Sequence, residues 1–243
     1  MGKQPLRGAA VTAWVKLHLI VEGETELAFA RNTLKTHLLQ YRVSVNPIML
    51  PTNRRLGAAG GALSWDRFHC NVSRLLKQHA DTSDHFSTMI DWYKLDSHFP
   101  GVAEARKLAR AADRASAVAL NVQKHFNSPR LCPFFTLHEF EDLLFCDLSI
   151  VVRRLGRQER DIANLKAEIG STPPEDVDDG SSTHPSARLE KHLPGYHGAK
   201  VRVGASAAGE IGLQVLREKC PHFGQWLTAL ENLGQSAHLR EKL

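Results

Sequence analysis

The amino-acid sequence predicts an α/β fold: a parallel sheet covered by helices, with a helical carboxyl-terminal extension. Short apolar segments rich in Val, Leu and Ile alternate repeatedly with longer amphipathic segments, as strands and helices do in β-α units. Acidic residues follow several of the apolar segments, at the sheet edge where such folds collect their functional groups. We therefore predict an α/β domain over residues 1–148 and a helical extension packed on it over residues 149–243.

Each element of this arrangement has its own pattern. Four apolar segments predict buried strands, over residues 14–21, 43–50, 86–90 and 131–137. Helical spacing of apolar residues predicts helices after Thr25, after Asp66 and over residues 102–126. Beyond residue 148 the pattern is helical, interrupted near residues 171–185 by a loop or linker rich in Pro, Ser and Asp.

Composition and charge restrict the classes of function. The chain has 243 residues, of which 42% are hydrophobic and 23% charged, as is typical of a soluble globular protein. Lys and Arg number 31 against 26 Asp and Glu, so the net charge of +5 favours a polyanionic partner. Aromatic residues, at 7%, are too few for a base-stacking platform, so contact with a nucleic acid would be mainly electrostatic.

The sequence also predicts where the protein acts. No apolar stretch approaches the ~18 residues of a membrane span, so we expect no membrane association. The four cysteines are scattered without a CxxC pair, which argues against a disulfide framework or a thiolate zinc site. No targeting segment is recognisable, and we expect a cytoplasmic protein.

Acidic residues after the first predicted strand are the most informative feature of the sequence. Glu22 follows the strand directly, whereas Glu24 and Glu26 fall in the first helical turn, where acids commonly stabilise the helix dipole. A carboxylate that ends a buried strand is partly desolvated and needs a cation or hydrogen-bond donors to stay ionised. Glu22 is therefore a candidate metal ligand or catalytic residue.

A second acid repeats this arrangement at the third predicted strand. Asp91 stands at its carboxyl end, and Asp96 follows after a short loop, where an acid that hydrogen-bonds its own backbone is the simpler interpretation. Carboxylates that share one sheet edge repel each other unless a cation neutralises them. A group of oxygen ligands without sulfur suits Mg²⁺ or Mn²⁺.

The third acidic cluster lies in residues 133–145, again where a predicted strand meets a helix. On a helix Glu139 and Asp142 could share a face, whereas Glu141 would point elsewhere, so the three cannot all serve one ion. We favour Glu139 as the ligand and place Glu141 second. His138 is a further candidate for a ligand or proton shuttle, but a structural role is the simpler interpretation.

Several motifs together resemble one family, the TOPRIM-like proteins of the domain-of-unknown-function family numbered four-two-seven-six. The motifs are VEGETE at residues 21–26, TMIDWYKLDSHFPG at 88–101, PFFTLHEFEDLLF at 133–145, IGL at 211–213 and CPHFGQWL at 220–227. The resemblance spans nearly the whole chain. It implies a TOPRIM-like fold, shared by topoisomerases, bacterial primases and overcoming-lysogenization-defect-type nucleases, and a bacterial protein often encoded beside AAA-type ATPases in phage-defence operons.

The resemblance also implies roles for individual residues. TOPRIM enzymes hold Mg²⁺ with a glutamate after the first strand and an Asp-x-Asp after the third. Glu22 matches the first position and Asp91 matches the first Asp, but Tyr93 stands where the second Asp is expected. The missing ligand would then come from Asp96 or Glu139, which leaves the number of metal ions open, and related defence nucleases imply Glu26 as an extra ligand.

We therefore predict a nuclease that uses Mg²⁺ or Mn²⁺ to hydrolyse DNA or RNA in a phage-defence module. The predicted catalytic residues are Glu22, Asp91 and Glu139, and the predicted metal ligands are Glu22, Glu26, Asp91, Asp96, Glu139 and Glu141. Candidates to grip the nucleic-acid backbone, unless they are ordinary surface charges, are Arg54, Arg55, Arg106, Lys107 and Arg188.

The expected partner is an AAA-type or ABC-type ATPase subunit, and a homo-oligomer is left open. The alternative hypothesis is a non-catalytic adaptor that docks on the ATPase and regulates it, having lost the second Asp to Tyr93. A topoisomerase-like reaction would need a tyrosine nucleophile. Tyr93 is the one positional candidate, although loop packing explains it more simply.

Overall fold

The computed structural model describes residues 14–51, 63–93, 95–177, 180 and 183–240, with side chains up to residue 235. At its centre is a four-stranded sheet in the order β2-β1-β3-β4, and all neighbouring strands are parallel. The strands are β1 (Val15–Val21), β2 (Val43–Met49), β3 (His85–Met89) and β4 (Leu131–Cys132). The predicted fold class, a helix-covered parallel sheet with helices at the carboxyl end, is confirmed.

Helices make up most of the remaining described chain. The α-helices are α1 (Glu24–Phe29), α2 (Lys35–Leu39), α3 (Trp65–Gln78), α4 (Val102–Ala105), α5 (Ala111–Phe126), α6 (Leu148–Arg154), α7 (Ala163–Ile169), α8 (Pro185–His192), α9 (Tyr196–Ile211), α10 (Leu213–Lys219) and α11 (Pro221–Arg240). A π-helical turn at Ala30–Leu34 joins α1 to α2, and short 3-10 helices occupy Phe140–Cys146, Glu159–Ile162 and Pro174–Asp176. Among the described helices, none combines the length and apolar character needed to cross a bilayer.

The two faces of the sheet pack against different helices. Because side chains alternate along a strand, Leu17 and Leu19 of β1 join a core with α9 and α11, while Ile20 joins a second core with α3 and α5. Almost all of β1 is buried, as expected for a central parallel strand covered on both sides. The carboxyl-terminal helices therefore form one of the two layers over the sheet.

The fourth strand is shorter than the predicted segment 131–137. Pro133 has no amide to donate and interrupts the ladder after Cys132. The hydroxyl of Thr88 replaces the lost backbone pairing, because it donates to the Phe134 carbonyl (2.7 Å) and accepts from the Phe134 amide (2.7 Å). Only an isolated bridge from Ile90 to Phe135 continues the pairing among the described residues.

The predicted helix over residues 102–126 is in fact two helices, α4 and α5. The Arg114 guanidinium donates to the carbonyls of Leu108 (2.9 Å) and Ala109 (2.9 Å). These hydrogen bonds stabilise the non-helical segment between α4 and α5. Arg106, at the end of α4, donates to the Leu95 carbonyl (3.0 Å). Side-chain donors at Arg106 and Arg114 thus take the place of helical backbone pairing.

Two glycines test the packing of the helical layer. A Cβ at Gly234 of α11 would lie 1.9 Å from the Tyr41 carbonyl oxygen, so Gly234→Ala is expected to lower the free energy of unfolding by about 1–3 kcal/mol. Gly198 of α9 has open space around it, so Gly198→Ala is expected to raise the same quantity by about 0.5–1 kcal/mol through better helix propensity. Urea denaturation measures the free energy of unfolding of both variants, and we expect changes of opposite sign. Equal changes in the two variants would contradict this packing.

Candidate functional site

Two acids from neighbouring strands begin the site. Val21 of β1 pairs with Met89 of β3 at the carboxyl edge of the sheet, so the next residues of both strands emerge side by side. The Glu22 carboxylate accepts a hydrogen bond from the Asp91 amide. Asp91 Oδ1 in turn accepts from the Phe140 amide (3.0 Å) and the Thr136 hydroxyl (3.2 Å). The predicted meeting of Glu22 and Asp91 thus follows directly from the strand register.

Glu26 turns back from α1 toward the same edge. Its Oε2 lies 2.8 Å from where a Cβ would stand on Gly23, so a larger residue there would displace this carboxylate. Burial raises the pKa of Glu26 to about 7, and the charges of Glu141 and Glu22 contribute to this rise. A hydrogen bond from the Glu26 backbone amide opposes it. Glu26 is therefore a buried member of the acidic group rather than a solvated helix-start acid.

Glu141 is the innermost acid of the site. It lies in the 3-10 helix Phe140–Cys146 and has no solvent-exposed surface. Its Oε1 accepts from the Tyr196 hydroxyl (2.9 Å) and from Lys200 Nζ (3.1 Å). Its Oε2 is buried without a hydrogen-bond partner among the described residues. An unpartnered buried carboxylate oxygen is costly unless a cation or donor reaches it.

The four carboxylates of Glu22, Glu26, Asp91 and Glu141 form what we call the acidic site. Burial, and then the charges of Glu26, Glu22 and Glu141, raise the pKa of Asp91 well above its ordinary value. Burial also raises the pKa values of Glu22 and Glu141. The donor set consists of oxygen alone, so the residues present fit Mg²⁺ or Mn²⁺ better than a softer metal.

Two side chains of α9 complete the site and were not predicted from the sequence. Tyr196 and Lys200 are four residues apart and so share a helix face, which continues to Gly204. At Gly204 a Cβ would lie 3.1 Å from Thr25 Cγ2, which shows how closely α9 approaches α1. The four-residue spacing was the available signal, but nothing in it indicated which acids the helix would meet.

Lys200 is the main positive charge facing the acidic site. Although burial lowers its pKa, the charges of Glu141, Asp91 and Glu139 raise it above the ordinary lysine value, so the ammonium stays protonated. Arg67 of α3, also absent from the predicted set, lies near enough to Glu22 to lower the pKa of that carboxylate. The site therefore contains both acids that suit a metal and cations that suit a phosphate.

Glu139, the favoured acid of the third cluster, has a different set of contacts. Its Oε2 accepts from the Ser186 amide (2.9 Å) and lies 3.0 Å from His184 Nδ1, while its Oε1 accepts from the Ser186 hydroxyl (3.1 Å). Burial alone would raise the pKa of Glu139, but these donors and Lys200 lower it. Glu139 thus fastens the start of α8, and Glu141 takes the position that we had predicted for Glu139.

Asp96 also differs from its predicted role as a metal ligand. Its Oδ2 accepts from the Trp65 amide (3.0 Å) at the start of α3, and its Oδ1 accepts from the His98 amide (3.0 Å). These hydrogen bonds lower the pKa of Asp96 to about 2. This engagement removes Asp96 from the ligand set and agrees with the simpler interpretation of a loop acid bonded to backbone.

Two further residues near the site have structural contacts. Tyr93 stacks on the His184 ring with a centroid separation of 4.4 Å. His138 Nε2 lies 3.1 Å from the Glu175 carbonyl oxygen, and the His138 amide donates to Asp142 Oδ2 (3.1 Å). Both positions agree with packing roles.

The basic residues that were predicted to contact the nucleic-acid backbone lie in different environments. Arg188 is largely buried and paired with Glu168, and Arg106 donates to the Leu95 carbonyl as described above. Lys107 is exposed. Arg54 and Arg55 lie outside the described residues.

Glu26 makes stability depend on pH in metal-free protein. The folded state keeps a proton up to a pH of about 7, whereas the unfolded chain loses it near pH 4.5. The free energy of unfolding should therefore fall as pH rises through this interval. Glu26→Gln is expected to flatten the profile and to raise the free energy of unfolding at pH 8 by roughly 1–3 kcal/mol.

Urea denaturation at several pH values in the presence of a chelator measures this dependence. Glu24→Gln is the matched control, because Glu24 is an exposed acid in the same helical turn. If the free energy of unfolding of Glu26→Gln falls with pH as steeply as that of the unaltered protein, the assignment of this dependence to Glu26 is contradicted.

Comparison with known proteins places the chain in a family. No curated protein matches it. Among solved structures, the chain is similar to the C-terminal region of the OLD protein of Xanthomonas campestris pv. campestris, with 15% identity and a TM-score of 0.40 over 93% of this chain and 98% of that one. A family model described as a domain of unknown function, DUF4276, matches residues 21–231. This match includes the four carboxylates of the acidic site and also Lys200, and the chain belongs to the DUF4276 family.

Proposed function

We propose that the protein is a nuclease that uses Mg²⁺ or Mn²⁺ to hydrolyse phosphodiester bonds of DNA or RNA. The observation that carries the proposal is the acidic site, in which carboxylates that follow β1 and β3 or belong to α1 and the 3-10 helix lie near enough for their charges to raise the pKa of Asp91, and one oxygen of Glu141 has no partner among the described residues. Such a group of acids is electrostatically unfavourable unless it holds a cation.

The side chains divide into metal ligands and phosphate contacts. Glu22, Asp91 and Glu141 are the proposed ligands, with Glu26 as a fourth. A divalent ion held there supplies polarisation of the scissile phosphate and acidification of an attacking water. The Phe140 amide and Thr136 hydroxyl fix Asp91 in its orientation. Lys200 and Arg67 are cations near enough to Glu22 to lower its pKa, and we propose that they attract phosphate oxygens.

Two further points support a nucleic-acid substrate. The motifs around Glu22 and Asp91 resemble those of TOPRIM enzymes, which implies Mg²⁺-dependent phosphoryl chemistry. The net charge of +5 favours a polyanion. By the same resemblance we propose a place in a phage-defence module with an AAA-type or ABC-type ATPase subunit as its partner, and a homo-oligomer stays open. The four scattered cysteines lead us to propose a cytoplasmic location.

Cleavage assays on matched variants test the nuclease proposal. Asp91→Asn and Glu141→Gln are each expected to reduce Mg²⁺-dependent cleavage by at least ~100-fold, while Glu24→Ala leaves it within about twofold. The melting temperature of Asp91→Asn in a chelator should hold or rise, because this change removes one of several repelling charges. Glu141→Gln should lower the melting temperature, because the buried Lys200 ammonium loses its ion-pair partner, but the variant should stay folded at the assay temperature. Plasmid, single-stranded DNA and total tRNA are the substrates, each tested with and without the ATPase.

Equal loss of cleavage in all three variants, or loss only through unfolding, would contradict these roles. Absence of metal-dependent cleavage in every mixture would count against the nuclease itself.

The second candidate is a non-catalytic adaptor that docks on an ATPase and regulates it. Lys200 favours this candidate, because its ammonium already neutralises part of the acidic site without a metal. Tyr93 favours it as well, since it takes the position of the second Asp and stacks on His184. In this case the carboxylates and Lys200 would be a structural network.

Calorimetric titration with Mg²⁺ separates the two candidates. The nuclease should bind Mg²⁺, and Asp91→Ala should abolish the binding. Lys200→Met should strengthen the binding roughly tenfold, because it removes a positive charge beside the ion. Lack of Mg²⁺ binding in all three proteins, with Lys200→Met simply less stable, would favour the adaptor.

A further inference from the structure

A second group of possible metal ligands lies at the other end of β3. Asp84 directly precedes β3, His79 follows α3, and His18 lies within β1, where it is paired in register with Phe86. One ligand atom from each of these three residues lies within 4.8 Å of the other two. Along the strands, Asp84 lies roughly 23 Å from Asp91 and His18 lies roughly 13 Å from Glu22, so the group is separate from the acidic site.

The contacts within the group converge on one carboxylate oxygen. Asp84 Oδ2 lies 2.8 Å from His18 Nε2 and 2.9 Å from His79 Nδ1. The two imidazole rings lie against each other, with centroids 4.3 Å apart. Two ring nitrogens and a carboxylate oxygen therefore already face a common point, as they would around an ion.

Burial favours ligand behaviour for His18. Only 2% of its surface is exposed, so this position accommodates a neutral ring at lower cost than a charged one. A neutral imidazole is the form that binds metals. The side chains of Asp84 and His79 keep 13% and 23% exposure, which leaves an approach from solvent.

The surroundings of His18 resemble the outer shell of a metal-bound histidine. Its second ring nitrogen, Nδ1, lies 3.1 Å from the Asn46 side-chain amide. The oxygen and nitrogen of such an amide can exchange places by rotation. With the oxygen turned inward, Asn46 would accept from Nδ1–H and leave the Nε2 lone pair free for an ion that Asp84 also binds, as in metal-bound histidines.

The segment that carries His79 and Asp84 is held in place independently of any ion. The Arg130 guanidinium donates to the carbonyls of His79 (2.8 Å) and Thr82 (2.8 Å). Lys16 Nζ is 3.8 Å from Asp84 Oδ2, but its side chain is half-exposed and can turn into solvent. The ligand positions are therefore preorganised, and the half-exposed Lys16 side chain has room to turn away when an ion binds.

We propose that His18, His79 and Asp84 form a zinc site that fastens the end of α3 to β1 and β3. Two imidazoles with one carboxylate suit Zn²⁺ and not Mg²⁺, and a water would complete the tetrahedron. The site is independent of the nuclease proposal, because it shares no residue with the acidic site. Its ligands come from three different elements, so the ion acts as a cross-link in the layer opposite α9 and α11.

Calorimetric titration of the full chain with ZnCl₂ tests this site. Protein stripped with EDTA and dialysed into excess Mg²⁺, which occupies oxygen-only sites, should bind one equivalent of Zn²⁺. His79→Ala and Asp84→Asn should each weaken binding by at least ~100-fold. His98→Ala is the matched control, because His98 pairs with Asp96 (2.7 Å) at the surface without a second histidine.

Two further measurements distinguish the loss of Zn²⁺ binding from the loss of folding. Co²⁺ in place of Zn²⁺ should give visible ligand-field absorption in the unaltered protein and in His98→Ala but not in His79→Ala. Melting temperatures in EDTA report whether each variant is folded, and His79→Ala at a partly exposed helix end carries the test if Asp84→Asn does not fold. Absence of Zn²⁺ binding, or binding that His79→Ala leaves unchanged, would overturn the proposal.

Discussion

The ion pair between Lys200 and Glu141 is the interaction on which the rest of this edge of the structure depends. Glu141 has no exposed surface and lies beside other acids, so its charge is tolerable only with a cation close by. Lys200 supplies that cation from α9, and the glycine four residues further on lets α9 come close enough to do so. The acidic site is therefore complete only with α9 packed against α1.

Other acids join the carboxyl-terminal helices to the sheet in the same way. Glu139 binds the amide and hydroxyl of Ser186 at the start of α8. Glu175 accepts from the amides of His222 (2.9 Å) and Phe223 (2.9 Å), which are free of helical partners at the start of α11. Each of these carboxylates stabilises a helix start by charge as well as by hydrogen bonding. The acids around residues 139–142 thus serve both packing and the site.

Strand β3 links two sites of different chemistry. At its carboxyl end the ligands are carboxylates alone, together with a lysine and an arginine, which suits a hard ion and a phosphate. At its amino end two imidazoles meet one carboxylate, which suits zinc. The strand is buried along most of its length, so the two proposed sites are separated by apolar core and each can be altered without touching the other.

The sequence by itself determined the parallel α/β architecture and the edge at which Glu22 and Asp91 stand. Strand periodicity and the position of an acid after a strand are local properties, so they can be recognised without knowing the partners. The break in β4 has a local signal in Pro133 that our strand prediction passed over, and only the structure shows the Thr88 hydroxyl opposite Phe134. From the sequence we ranked Glu139 above Glu141, because we assumed an α-helix where the chain forms a 3-10 helix.

Only the tertiary structure decided which cations and histidines meet these acids. Lys200 is far from Glu22 in the chain, and His18 is far from His79 and Asp84. Their contacts arise from the close approach of α9 to α1 and from the register of β1 against β3. Such contacts depend on how whole elements pack, and the free energy of that packing is shared among many apolar side chains rather than encoded near the polar residues themselves.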